Sequence, residues 1–408
     1  MVRKVMIVGL ILMLSLSLST AFGQDTTAIR YFTFSAAPDH VEDLNTIVQA
    51  FQAENPGITV EVETAPFSDY FTLLQADIVG GAAPDVFELN YENFVAYAAN
   101  GVLADLSGKI SADAPYYPRA LEAFQYQGVQ MALPESFSTV LLFYNQDLFD
   151  QAGIDYPTAD WTWDDAMTAA KAIRALGSDT WGIFSPIQFW EFYKKAAQNG
   201  ECKFFNDAMT ESTINSPACV QTLETMLSFV NEDVMPSTEE LSGVANEDLF
   251  ASGKLGMDVI GIWQFAAFHD LPFAWDVQIE PAMNQHAHHF FANGVAVSAT
   301  SANTDAAAKW AEFLTSSETA ANVRVEKGWE LPALDKPEYV AGYLEQTPPA
   351  NRQAVFDALE SAIVPPVIER QNEFQDAVNA ALSQAADGSL SPQAALDQAK
   401  AAVDGLLG

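Results

Sequence analysis

An α/β fold built on mainly parallel sheets flanked by helices is what the sequence predicts. Three observations carry it. Between residues 29 and 106 strand and helix patterns alternate in the order β-α-β-α-β, and the alternation resumes after residue 129. Neither an internal repeat nor a long flexible linker interrupts the chain, which fits two lobes joined by several short crossings rather than domains strung in series.

The first strand is Ile29 to Phe34, followed by a polar turn from Ser35 to Asp39. A helix comes next, with Val41, Leu44, Val48 and Phe51 on one face, and Asn55-Pro56-Gly57 stops it. Ile58 to Val62 alternates as a half-exposed strand. Ser68 is a candidate N-cap for a second helix through Phe71, Leu74 and Ile78. In the stretch APDVFELNYENFVAYAANGVLADL (Ala83 to Leu106), a short buried strand runs into a helix that Gly101 closes. This puts Asn90, Tyr91 and Glu92 at the carboxyl edge of a sheet, where open α/β sheets bind ligands. Further strands are expected at 129–134, 140–145, 255–262, 277–281 and 293–298. Helices are expected at 163–176, 216–230, 246–252 and 302–314, and everything after Pro349 reads as helical.

Residues 1–23 read as a cleaved export signal. Arg3 and Lys4 are basic, Val5 to Leu18 is apolar, and Ala21-Phe22-Gly23 offers small residues for cleavage. About 14 apolar residues fall short of the roughly 20 a spanning helix needs. No cysteine lies near the cut, so no lipid anchor is encoded, and the mature protein is expected to be soluble outside the cytoplasmic membrane. The two cysteines, Cys202 and Cys219, are then expected to form one disulfide in an oxidising compartment. A formal net charge of −36 argues against a nucleic-acid or anionic-membrane surface. Hydrophobic residues at 49% exclude a disordered chain. The acidity fits solubility at a cell exterior, with attraction for cationic ligands such as polyamines as the sharper alternative.

Several blocks resemble the carbohydrate-type extracellular solute-binding proteins of bacterial ABC importers, the maltose/maltodextrin-binding-like family. The stretch from Ala83 is one. The others are MALPESFSTVLLFYNQDLF (Met131 to Phe149), FASGKLGMDVIGIW (Phe250 to Trp263), FFANGVAVSATS (Phe290 to Ser301), KWAEFLTSSETAANVRVEKGWELPAL (Lys309 to Leu334) and the closing DGSLSPQAALDQA, with Ser391 as N-cap. They follow in register over nearly all the mature chain, and residues 184–245 match less well. The resemblance implies two discontinuous lobes, 24–134 with 263–330 and 135–262 with 331–408, crossing near 133–138, 259–263 and 329–334. It also implies a cleft that closes on ligand by hinge motion.

A sugar needs aromatic faces for its C–H patches and carboxylates or amides for its hydroxyls. Trp263, after Gly261-Ile262, is the expected stacking platform. Ser35 and Asp39 occupy the first strand–helix turn; Asn90, Tyr91 and Glu92 open the next helix. Glu135 and Ser136 lie at the first crossing, and Asn293, Gly294 and Trp329 border the others. Phe189 and Trp190 fall in the aromatic run IQFWEFY, and Phe374 lies in a late helix. For each, capping or core packing is the alternative to ligand contact. His286-Ala287-His288-His289 reads as a solvent-facing loop, and no metal or other cofactor is expected. The sequence thus implies a monomeric binding protein that hands a small-molecule ligand, a neutral sugar or short oligosaccharide, to membrane permease subunits. A polyamine-binding protein and a secreted glycoside hydrolase are the alternatives, although G-x-S-x-G, H-E-x-x-H and phosphate-binding glycine loops are absent from the sequence.

Overall fold

The computed structural model describes residues 26–407 except 37, 39, 112 and 330, so the stretch expected to be an export signal and Asp39 lie outside the described residues. In chain order the strands β1 (Thr27–Thr33), β2 (Ile58–Thr64), β3 (Val86–Asn90) and β4 (Ala132–Ser138) are laid down first. The chain then crosses to β5 (Val140–Asn145), β6 (Trp181–Phe184), β7 (Leu255–Gly261) and β8 (Trp275–Gln278), and returns for β9 (Phe291–Val297) and β10 (Leu331–Pro332). Two principal sheets result, a six-stranded one in the order β10-β4-β9-β3-β1-β2 and a four-stranded one in the order β8-β5-β7-β6. Each sheet is the floor of one lobe.

The expectation of mainly parallel sheets holds only in part. β1 runs parallel to both β2 and β3, and β6 parallel to β7. β9 is antiparallel to β3 and to β4, β10 to β4, and β5 to both β7 and β8. The parallel pairs are those joined through helices; β9 enters the first sheet from the other lobe and so runs the opposite way. The expected lobe boundary at 262/263 moves for the same reason. Trp275–Gln278 pairs with Leu142–Asn145 of the second sheet, so the second crossing lies between 278 and 291. Leu331 and Pro332 still pair with the first sheet, just past the expected boundary at 330.

The helices that flank the sheets form where apolar residues recur at helical spacing. α1 (Val41–Glu54) buries Leu44, Ile47, Val48 and Phe51 against the first sheet. α2 (Phe67–Val79) has Pro66 rather than Ser68 at its cap position, so no side chain caps it. Tyr70 fixes it instead: its hydroxyl lies 3.0 Å from the Phe32 carbonyl and 2.8 Å from that of Glu88, tying the helix to β1 and β3. α3 (Tyr91–Ala99) is capped by Asn90, and Gly101 beyond its end has φ 68°. α4 (Trp163–Arg174) starts in a reciprocal Thr162–Asp165 capping box. α5 (Phe189–Asn199) and α6 (Pro217–Asn231) enclose the Cys202–Cys219 disulfide, whose Cα atoms are 4.6 Å apart. α7 (Thr304–Ser316) and α8 (Glu318–Lys327) cover the first sheet, while α9 (Gln371–Ala386) and α10 (Pro392–Asp404), the latter capped by Ser391, close the second lobe. A two-residue strand at Ala362–Ile363 interrupts the expected helical tail.

The crossings meet at Thr139, which is fully buried between β4 and β5. Its carbonyl accepts from Ile262 N at 3.1 Å and its hydroxyl donates to the His289 carbonyl at 2.7 Å. One residue thereby pins the first crossing to the end of β7 and to the strand entering β9.

Candidate functional site

The carboxyl edge of the first sheet is organised around a residue that sequence reasoning did not single out, Glu88 on β3. Its buried carboxylate accepts from Thr33 Oγ1 at 2.6 Å, from the backbone N–H of Phe34 (3.2 Å) and Ser35 (3.1 Å), and from the Ser35 hydroxyl. These bonds fix the turn after β1. They also aim Ser35 at β9, where Asn293 Nδ2 donates to Ser35 Oγ at 3.4 Å. Asn293 stands opposite Asn90 on one neighbouring strand and Ser136 on the other. Ser35, Asn90, Ser136 and Asn293 therefore share one patch. Asn90 Oδ1 accepts from the backbone and side-chain nitrogens of Asn93, at 3.3 and 2.8 Å, so its carbonyl is committed to capping.

Tyr91 and Glu92 open α3 beside this patch. Tyr91 is half-buried and its phenol is raised by burial. Glu92 is buried, and that burial pushes its carboxyl up to about 7. One Glu92 oxygen has no hydrogen-bond partner, and neither does the hydroxyl of buried Tyr193 on α5, which feels the Glu92 charge from the other lobe.

Aromatic groups lie on the same face of β9. Phe291 and Asn293 alternate to one side of the strand, about 7 Å apart along it. Trp263 lies 6.1 Å from Phe291 at an interplanar angle of 46°, and the residue is 39% exposed. Gly261 permits that position, since a Cβ there would meet the Trp263 ring at 2.0 Å. Trp190 stands edge-on to Phe291 at 6.5 Å, and its indole N–H donates to Gln188 at 2.9 Å.

The remaining candidates have partners within the chain. Phe189 and Phe374 contact each other at 5.1 Å inside the hydrophobic core around the disulfide; the aromatic run is amphipathic, and Phe189 lies on its buried side. Gly294 makes room for the Phe124 ring, which would lie 2.7 Å from a Cβ. Glu135 bulges out of β4 where the register shifts at Asn293/Gly294, and it forms a buried ion pair with Arg324 on α8. That guanidinium stacks on Trp329 at 4.5 Å, and Trp329 is buried against His40 at 4.6 Å.

The histidine stretch also departs from expectation. Only His286 is exposed; His288 and His289 are buried and pair with Ala362–Ile363. The loop turns inward because His289 completes a buried charged cluster with Glu191, Lys194, Lys195 and Glu280. Lys194 Nζ lies 2.7 Å from Glu191 and also pairs with Glu280. Lys195 pairs with Glu191, reaches Ser185 Oγ at 2.9 Å and stands 3.7 Å over the Trp163 ring. Burial opposes ionisation of Glu280, but Lys194 and His289 outweigh it and hold the carboxyl well below its usual range. Burial brings Lys195 down to about 8 against the pull of Glu191. Ligand atoms of Glu191, Glu280 and His289 lie within 4.8 Å of one another, a spacing a metal ion accepts, yet Lys194 already supplies the countercharge.

Among the described residues no helix is long and apolar enough to cross a membrane. Residues 37–321 match the family of bacterial extracellular solute-binding proteins. An ABC substrate-binding protein from Listeria monocytogenes, solved in complex with cycloalternan, is 44% identical, with a TM-score of 0.90 over 94% of this chain and 100% of that one. The galactooligosaccharide-binding protein of Bacillus subtilis is 23% identical over 86% of this chain and 83% of its own length. The cyclic alpha-maltosyl-1,6-maltose binding protein of Arthrobacter globiformis has the same fold, with 21% identity and a TM-score of 0.75 over 94% of this chain and 99% of that one.

Proposed function

The chain belongs to the bacterial extracellular solute-binding proteins, and from that premise we propose that it captures a neutral oligosaccharide between its lobes for an ABC importer. The observation that carries this reading is β9. It presents Asn293 beside Ser35 and Phe291 beside Trp263 on one face, so amide, hydroxyl and aromatic groups meet at one sheet edge. A sugar ring fits that pairing, with C–H faces for the indole and hydroxyls for the amide and serine. The sugar specificity of the Listeria, Bacillus and Arthrobacter relatives supports the same class.

The state of the carboxylates favours a neutral ligand over a polyamine. Glu88 is saturated by Thr33, Phe34 and Ser35, Glu135 is paired with Arg324, and burial raises Glu92 to about 7, which disfavours its charged form. An amine clamp needs ionised, uncommitted carboxylates. In this reading Trp263 is the stacking platform, Asn293, Ser35 and Ser136 bond hydroxyls, and Asn90 to Glu92 form the wall of the first lobe. The protein is exported by its leader, acts as a monomer that binds without catalysis, and docks on permease subunits once the lobes close.

A thermal-shift screen over mono- and oligosaccharides, cycloalternan, spermidine and amino acids tests this. Ligand at 100-fold over Kd adds about 2.7 kcal/mol of stability, a shift of several degrees. An oligosaccharide is expected to raise the melting temperature. A shift with spermidine and none with any sugar contradicts the reading, as does release of reducing ends from the oligosaccharide.

A further inference from the structure

We infer that Phe67, Phe34 and Phe71 form a second stacking subsite at the rim of the first lobe, taking a glycosyl unit beyond the one at Trp263. The inference deepens the oligosaccharide reading above and rests on it.

Phe67 is 57% exposed, an unusual state for a phenylalanine at the first position of a helix. It packs edge-on against Phe34 at 5.2 Å and 79°, and against Phe71 at 5.6 Å and 88°. Two near-perpendicular ring contacts hold Phe67 in place while more than half of its surface stays open to solvent, which is how a stacking platform is preorganised. The group is also rigidly mounted. Phe34 rests edge-on upon Tyr70 at 5.0 Å, and the Tyr70 hydroxyl is bonded to the backbones of β1 and β3.

Position ties this platform to the ligand edge. β1 and β2 are parallel, so the turn after β1, with Phe34 and Ser35, and the start of α2 after β2 emerge at one end of the sheet. Phe34 directly precedes Ser35, whose hydroxyl meets Asn293. The aromatic group and the polar group thus leave the same end of the sheet from neighbouring positions of one turn. Stacking needs no particular linkage, so the subsite reads ligand length rather than anomeric form.

Calorimetric titration of the purified full chain with glucose, maltose, maltotetraose and cycloalternan tests the subsite. For the longest sugar that the wild type binds, Phe67→Ala and Phe67→Leu are expected to weaken affinity about five- to tenfold. Phe67→Trp should retain it, and affinity for the shortest bound sugar should not change. Leucine is the decisive comparison, because it keeps apolar bulk and removes the ring face. Unchanged affinity in Phe67→Leu, or an equal loss for every length, overturns the subsite while leaving oligosaccharide capture standing. If the wild type binds none of these sugars and Phe67 variants behave alike, the subsite and the oligosaccharide reading fail together.

Discussion

Glu92 carries an ionisation whose effect on stability can be stated with its sign. Its carboxyl is raised to about 7 by burial, so between the usual 4.5 and 7 the folded chain holds a proton that the unfolded chain has released. Stability therefore falls as pH rises through that window and levels off above it, by about 3 kcal/mol in all. Asp258, raised to about 8 by burial, adds a slope of the same sign. Glu92→Gln should flatten the Glu92 part of the profile and raise stability at pH 8, measured by urea unfolding from pH 5 to 8. An unchanged slope in the variant refutes the assignment. Gly261→Ala makes a second prediction: its Cβ would strike the Trp263 ring, so oligosaccharide affinity should drop about tenfold while the protein stays folded. Titration calorimetry beside circular dichroism checks both halves. Asn90 at a sheet edge was legible because strand, cap and helix are contiguous in sequence. Glu88 was not, since its partners Thr33 and Ser35 lie more than fifty positions away and nothing local marks it. The buried contact of Phe189 with Phe374 was not legible either, because an aromatic in an amphipathic helix looks the same whether it faces a cleft or a core.

Elements show the same division between local and long-range information. α1, α3, α4 and α10 were readable from apolar spacing, and their ends from stops and caps that lie within a turn of them. α2 has no such cap and is held by Tyr70 against two strands, which explains why its start was misjudged at Ser68. Strand direction was the larger error. β9 looks like any other apolar run, and only the crossing that delivers it makes it antiparallel to β3 and β4. The inward turn at 288–289 likewise depends on a partner far away, α5, where His289 meets the Trp190 carbonyl and Glu191. The charged cluster there predicts a large, partner-dependent cost. Lys194→Met leaves two buried carboxylates short of a cation and should destabilise by roughly 3–5 kcal/mol. Adding Glu280→Gln should recover part of the loss, which chemical denaturation of the single and double variants would reveal as non-additivity. Additive losses would show that Lys194 and Glu280 do not act as a pair.

At the scale of the molecule, two sheets joined through Thr139 and strand β9 bring groups from distant parts of the chain to one edge. The two-lobed α/β class was legible from element order and motif register, whereas the second crossing was placed too early because a strand motif ending in tryptophan marks the end of β7, not the end of a lobe. The acidic surface, with a net charge of −36, suits a protein that must stay dispersed while its site takes a neutral ligand. What matters most is whether that ligand is an oligosaccharide seated on Trp263. Isothermal titration of the wild type and Trp263→Ala with cycloalternan and linear glucooligosaccharides addresses this directly. The expected result is a wild-type Kd at or below about 10 μM, near −7 kcal/mol, for at least one of them and a loss of at least about tenfold in the variant. A folded wild type that takes up none of these sugars, or a Trp263→Ala variant that binds as tightly as the wild type, would contradict it.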